Sequence, residues 1–595
     1  MAKGKIFLAE LARDTVSQMN KRWSFPIAHF SGTITESKER FLSIRFMKFF
    51  KAVRHLITHA SARSYGTAVM SCGVMTLLLY FTRLAADMSA VTPIIGALLT
   101  LLALPFLFSD KPVPLFLQDF ALTDYIFFEF FCIKRFNKMD SVKRVPAIVS
   151  LLFGVLVALV GLFCPSWYAT VAIAALIFVG VTLLSPEFAF FAAFLALPYM
   201  SLLPYASVIF VGVILLAEIS FLIKAFFGKR VFYIDGYDGI IGALMLVVLV
   251  SGIFIKGISS FTWSIGMVVT GFGYTISGNV VTNRRLADRA VNSIVISSIP
   301  PAIVSIVFFL IDVFGGRGET LIDKGVFFGF PGSESAATFM TVASVFSVAM
   351  LIQSHGSKKI FYAIVFAVEF AALILTGELF AVLALVLAFF AYYFICVFRG
   401  SAIFLPAISA LPYAALLLPN TVLDSVFSVI PSLENVESLL FVWSESLSAF
   451  VRNIVFGIGI GAESFAEEMS AVGISAKNAS NLFIELGLEA GIFALLCLVA
   501  LLLVRVVHSV KYYLYVRNSE VSVLTPLCTV CVFCLVSYGA FSYIFADMFS
   551  MYLFWCVFGI GSAALRVAKR ETDDRIQYYE DTRARNSSSI DIEIL

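Results

Sequence analysis

The chain has 595 residues, 60% of them hydrophobic and 14% charged, with a formal net charge of +3. Its mean hydropathy is +0.96. A soluble protein of this size needs far more charge to cover its surface, and so small a net charge gives no footing for nucleic acid. Apolar runs of about 20 residues recur along the chain, the length that spans a bilayer core. The expected fold is therefore all-α, a polytopic transmembrane helix bundle of about 14–16 spans.

Residues 1–65 form a basic segment, expected in the cytoplasm. Twelve Lys/Arg stand against four Asp/Glu from Met1 to Arg63. Arg45, Lys48, Lys51 and Arg54 recur every third residue among Phe46, Phe49 and Val53. That pattern suits a helix on an anionic membrane surface, or a plain extension held inside by its charge. The segment lacks the short apolar core and cleavage site of a signal peptide.

Residues 66–236 hold the N-terminal group of spans. Pro residues interrupt or bound two candidates, 187–204 and 402–419. Lys and Arg alternate between loops as the positive-inside rule requires, which puts both termini in the cytoplasm. The inside loops carry Lys229/Arg230, Arg284/Arg285/Arg289, Lys358/Lys359 and Arg505/Lys511/Arg517. Glu369 falls mid-span, where it must pair, protonate or face a cavity.

Two loops assigned outside stand apart. One runs from Phe314 to Ser335. The other, 420–480, is unusually long for a connection without a task. It carries seven acidic residues against only Arg452 and Lys477. Helical spacing over 438–456 predicts an amphipathic surface helix. The run Gly457, Gly459, Gly461 then lets the backbone turn tightly or approach a ligand closely. A span is expected over 482–506, with Glu489 just inside it, and another over 378–397. Cys528, Cys531 and Cys534 are spaced as cluster ligands are, or as small packing residues in an apolar helix. Asp547 reads as a solvated loop residue. The tail, 571–595, is polar with mixed charge and reads as disordered and cytoplasmic.

The stretch IVFGIGIG, a polar gap and SNLFIELGLEAGIF resemble the C-terminal signature of the O-antigen ligase/polymerase (Wzy/WaaL-like) superfamily. The residues carrying it are Trp443, Gly457, Gly459, Gly461, Phe465, Asn481, Glu489 and Gly491. Gly325 to Met340 and Leu375 to Phe390 stand where the family has two further motifs. The implied domain is 237–570, with 420–480 as its outer loop. Where the family has a catalytic-loop His this chain has Ser480, and the Arg of its other motif corresponds to Gly377 or Glu378.

The resemblance implies a membrane glycosyltransferase that ligates or polymerises a polyprenyl-pyrophosphate-linked glycan on the outer face. Cations would hold the pyrophosphate, with Arg317, Lys324, Arg452 and Lys477 as candidates. A carboxylate would take the acceptor's proton, with Glu489, Glu378 and Glu463 as candidates. Ser480, Asn481, Gly459 and Gly461 would contact substrate. No cofactor and no metal is called for. The partners are the lipid-linked glycan, membrane lipid and a candidate chain-length or envelope-assembly protein. A flippase of lipid-linked saccharide and a non-catalytic envelope-assembly scaffold are the alternatives.

Overall fold

The computed structural model describes residues 59–82, 92–131, 145–163, 178–183, 185–203, 205–226, 230–254, 258–315, 329–398, 401–415, 436–515 and 523–592, with 25–26, 133, 135 and 175. Most of the expected basic N-terminal helix, the loop 316–328 with Arg317 and Lys324, and residues 416–435 lie outside them. The described residues are almost all helical.

Two compact units divide the chain. One comprises Ala28–Ala189 and Ile219–Arg230; the other comprises Met1–Ile27, Phe190–Glu218 and Val231–Leu595. This differs from the expected boundary at 236/237, because aromatic packing ties residues 190–218 to the C-terminal helices. Phe210 stands 4.9 Å from Phe549 and 5.2 Å from Tyr552, centroid to centroid.

In the first unit, helices α1 (Ala62–Phe81), α2 (Thr92–Leu107) and α3 (Ala147–Phe163) pack together. A Cβ on Gly73 of α1 would stand 2.8 Å from the carbonyl of Gly96 on α2, so small residues let these backbones close up.

The chain continues through α4 (Pro186–Ala196), α5 (Ala206–Phe226), α6 (Gly236–Phe254), α7 (Ile258–Val280), α8 (Arg284–Gly315), α9 (Ser333–Gln353), α10 (Ser357–Leu375), α11 (Leu379–Val397) and α12 (Leu405–Ala415). Then come α13 (Val436–Arg452), α14 (Ala462–Ser470), α15 (Leu482–Ala490), α16 (Ile492–Tyr515), α17 (Leu524–Tyr538) and α18 (Met548–Ile592). A two-residue strand, β1 (Phe25–Pro26), pairs antiparallel with β2 (Tyr233–Ile234). Among the described residues, eight helices are long and apolar enough to cross a membrane, and four more are shorter and apolar.

Helices α9 and α18 are the most enclosed of the eight. α8 stays helical through Pro300 and Pro301. Pro301 removes the donor to the carbonyl four residues back, and that carbonyl, of Ser297, accepts from the Tyr199 hydroxyl instead, at 3.2 Å. Beside β2, Asp235 accepts from Tyr274 at 2.7 Å and from Ser562 at 3.0 Å, which ties α7 to α18.

Two expectations change. The span expected over 482–506 is broken at Gly491, so that the short α15 precedes a span over Ile492–Ser509. Beyond its span, α18 runs on to Ile592 through the tail expected to be disordered.

The seam between α7 and α18 depends on a missing side chain. A Cβ on Gly559 would lie 2.0 Å from the Ser277 hydroxyl and 2.6 Å from the Tyr274 carbonyl. Gly559→Val should destabilise this unit by roughly 1–3 kcal/mol or more. Thermal unfolding in detergent will read it as a lowered midpoint.

Candidate functional site

The glycine run is built onto the C-terminal end of α15. The Ile458 N–H donates to the Leu488 carbonyl at 2.8 Å, and the Gly459 N–H to the Glu489 carbonyl at 3.2 Å. The Gly461 N–H donates to the Glu489 carboxylate at 2.8 Å, and the Tyr543 hydroxyl donates to its other oxygen. Ser260 receives the Ile460 N–H at 2.8 Å. Gly457 has φ +73°, and a Cβ there would stand 2.3 Å from the Glu489 carbonyl oxygen. Only glycine fits that position without the backbone moving.

A small core holds the rest of the loop. Trp443 of α13, Phe465 and Met469 of α14, Ala479 and Leu488 are buried together. The Trp443 indole N–H donates to the Ala479 carbonyl at 2.7 Å. The Ala479 N–H in turn donates to Glu485 at 2.6 Å. Ser480 then takes φ +49°, with its N–H on the Asn478 side chain at 2.9 Å. Asn481 caps α15, accepting from Phe483 and Ile484 at 3.0 and 3.1 Å and donating to the Ala540 carbonyl at 3.0 Å.

Glu485 and Glu489 lie four apart on α15, both fully covered. Burial, and then the charge of Glu489, hold Glu485 well above the usual carboxylate range. Burial also raises Glu489, against the hydrogen bonds from Tyr543 and Gly461. Two like charges so placed disfavour simultaneous ionisation.

A second group of carboxyls gathers where α9, α11 and α18 begin and α17 ends. Glu378, the residue before α11, accepts from Ser333 at 2.8 Å. Glu334 accepts from Ser542 at 3.2 Å, and Asp547 from Ser335 at 2.6 Å. These three are only partly covered. Asp547 is thus no free loop residue: it also caps α18, accepting from Phe549 and Ser550 at 2.8 and 2.9 Å. The Tyr538 hydroxyl lies beside Glu378 and Glu334, and burial raises the Glu378 carboxyl. Lys477 is exposed and near enough to Glu334 to act on its charge.

The expected residues therefore separate. Glu378 and Lys477 belong to the open acidic group. Glu489, Asn481, Gly459 and Gly461 form the lock beneath it, and Ser480 turns the chain into α15. Arg452 is exposed and pairs with Glu468 at 3.1 Å. Glu463 stands exposed in the first turn of α14. Sequence reasoning missed Glu334, Glu485, Ser542 and Tyr543. The i,i+4 spacing of Glu485 and Glu489 was the available signal for one of them. An apolar cavity of about 310 Å³ lies nearby, lined by Pro406, Ala410, Phe483, Leu502, Phe533 and Val536.

Fold and site together define a polytopic all-α membrane protein with carboxyls and hydroxyls gathered where several helices end. Residues 362–499 match the family model described as O-antigen ligase, which supports membership of the O-antigen ligase-like superfamily. The match runs from α10 into α16, a narrower stretch than the implied domain 237–570. No curated protein matches the chain.

The lock separates two kinds of glycine. Gly473 also has positive φ, +80°, but nothing lies within 4 Å of its would-be Cβ. Gly473→Ala should cost only the left-handed backbone penalty, about 1–2 kcal/mol. Gly457→Ala must also displace the α15 carbonyls and should cost clearly more. Limited proteolysis of residues 453–480 will rank the two variants.

Proposed function

We propose that this protein transfers a glycan from a polyprenyl-pyrophosphate carrier to an acceptor hydroxyl, at the open acidic group and on the outer face of the plasma or inner membrane. The observation that carries the reading is the meeting of Glu334, Glu378 and Asp547 with Lys477, beside an apolar cavity and partly within the family-matched segment.

Each part has a physical task. The acceptor oxygen attacks the anomeric carbon, and the bond from that carbon to the pyrophosphate oxygen breaks. Glu378 takes the hydroxyl proton, since a carboxyl raised by burial sits nearer working pH and is a better base. Lys477 meets the charge growing on the departing pyrophosphate. Glu334 and Asp547 accept hydrogen bonds from sugar hydroxyls. The cavity between α12, α15, α16 and α17 takes part of the isoprenoid chain, burying apolar surface. Glu489 acts behind these groups as a positioning residue, holding the glycine run on α15.

The test uses purified protein and a polyprenyl-pyrophosphate oligosaccharide. Released polyprenyl pyrophosphate and a lengthened or transferred glycan are the expected products. Glu378→Gln should lower turnover by about 10²–10⁴-fold, the usual size of general-base catalysis. Lys477→Ala should weaken donor use. A base works ionised, so the rate should rise with pH through a midpoint above the ordinary Glu value of about 4.3. Lipid-linked sugar crossing vesicles without glycan transfer would replace this reading with a flippase.

A further inference from the structure

Glu369 sits mid-way along α10 and is fully buried. One carboxyl oxygen is 2.5 Å from the Ser298 hydroxyl of α8, and the other has no hydrogen-bond partner among the described residues. Ser347 of α9 lies beside the carboxyl. Ser347 is close enough to hydrogen-bond it, and the hydroxyls of Ser344 and Thr341, further along α9, are buried and without a partner among the described residues. That is unusual for helical hydroxyls, which readily return their proton to a carbonyl one turn back. Ser297 does so, to Ile294 at 2.9 Å, and Ser298 has the Val295 carbonyl at 2.7 Å as an alternative to the Glu369 carboxyl. Residues 341, 344 and 347 are three apart, so they form one row along α9, with Ser347 at the carboxyl and Ser344 about 5–6 Å further along.

Among the described residues, α8, α9 and α11 are the main helices packed against α10. Among the described residues none of them brings a basic side chain near Glu369. α9 and α11 contain none, and Arg284, Arg285 and Arg289 of α8 lie at least nine residues before Ser298. Lys358 and Lys359, on α10 itself, are ten or more residues away, about 15 Å at 1.5 Å per residue. A carboxylate in hydrocarbon with no cation in reach is too costly to stand alone. A hard, oxygen-seeking monovalent ion answers both facts at once. Its single charge balances one carboxylate, whereas divalent ions prefer several carboxylates. It also gives the unpartnered hydroxyl oxygens something to coordinate.

We propose that Glu369, Ser298, Ser347 and Ser344 form a buried Na⁺ site joining α8, α9 and α10. The ion would fix α9, whose first residues, Glu334 and Ser335, belong to the open acidic group. The site does not depend on the transferase reading, because its test measures binding rather than turnover.

The test is thermal unfolding of the purified full-length protein, with Na⁺ replaced by choline at constant ionic strength. A ligand that binds only the folded state stabilises it with the logarithm of its concentration. The midpoint should rise by about 2 °C for each tenfold increase in Na⁺ above the dissociation constant. K⁺ should do less. Glu369→Gln, neutral and nearly isosteric, should fold without Na⁺ and lose the dependence, and Ser347→Ala should weaken it. An Na⁺-independent midpoint in the wild-type protein would overturn the site. So would an Na⁺ shift of equal size in Glu369→Gln. A midpoint that follows pH but not Na⁺ would assign a proton to Glu369 and likewise overturn it.

Discussion

The Glu489 carboxylate joins three pieces of chain that have no covalent reason to meet. It holds the glycine run through the Gly461 N–H and the turn after α17 through the Tyr543 hydroxyl, while riding on α15. Its own carbonyl takes the Gly459 N–H and the Ser251 hydroxyl of α6. A buried carboxyl is costly unless its oxygens are satisfied, and here both are. This lock fixes where α15 ends and where the turn 539–547 passes. The open acidic group is placed by that turn, since Ser542 and Asp547 both lie on it.

The acidity of the site sets its chemistry. Among the described residues Lys477 is the cation found close to the group, while Arg452 is engaged with Glu468 on the surface. Carboxylates and serine hydroxyls are suited to binding the hydroxyls of a sugar, which donate and accept in turn. They are poorly suited to gripping a pyrophosphate along its length. A glycan-centred site therefore fits these residues better than a phosphate clamp. Under the proposed reaction, recognition would rest on the sugars and the isoprenoid chain more than on the charged link between them.

Much of this was legible in the sequence because its causes are local. Apolar runs mark helices that cross hydrocarbon, and the moderate helical spacing near 438–456 matches α13. The glycine run declared a tight backbone approach, and the structure supplies what approaches: the carbonyls of Leu488 and Glu489. The site was only half legible. Lys477 stood out as a cation in an outside loop, and Glu378 as a carboxyl at the mouth of an expected span. Glu334 lay in the stretch Gly325 to Met340 but had no visible partner, because Ser542 is 208 positions away along the chain. Asp547 looked solvated for the same reason, its partner Ser335 being 212 positions distant. Asn481 looked like a sugar ligand, but its position before an apolar run makes it equally a helix cap, and its polar atoms are used that way. Long-range pairing, not local pattern, decided these cases.

Helix α9 links the two most polar places in this unit. Its first turn contributes Ser333, Glu334 and Ser335 to the acidic group, and fourteen residues after Ser333 it presents Ser347 to Glu369. The helix is enclosed along most of its length, so it cannot relieve strain by moving into lipid. A rigid, close-packed helix transmits a change at one end to the other more readily than a loosely held one. The proposed ion at Glu369 would hold the register of α9 against α8 and α10. It would thereby help keep Glu334, on α9, beside Glu378, the residue before α11.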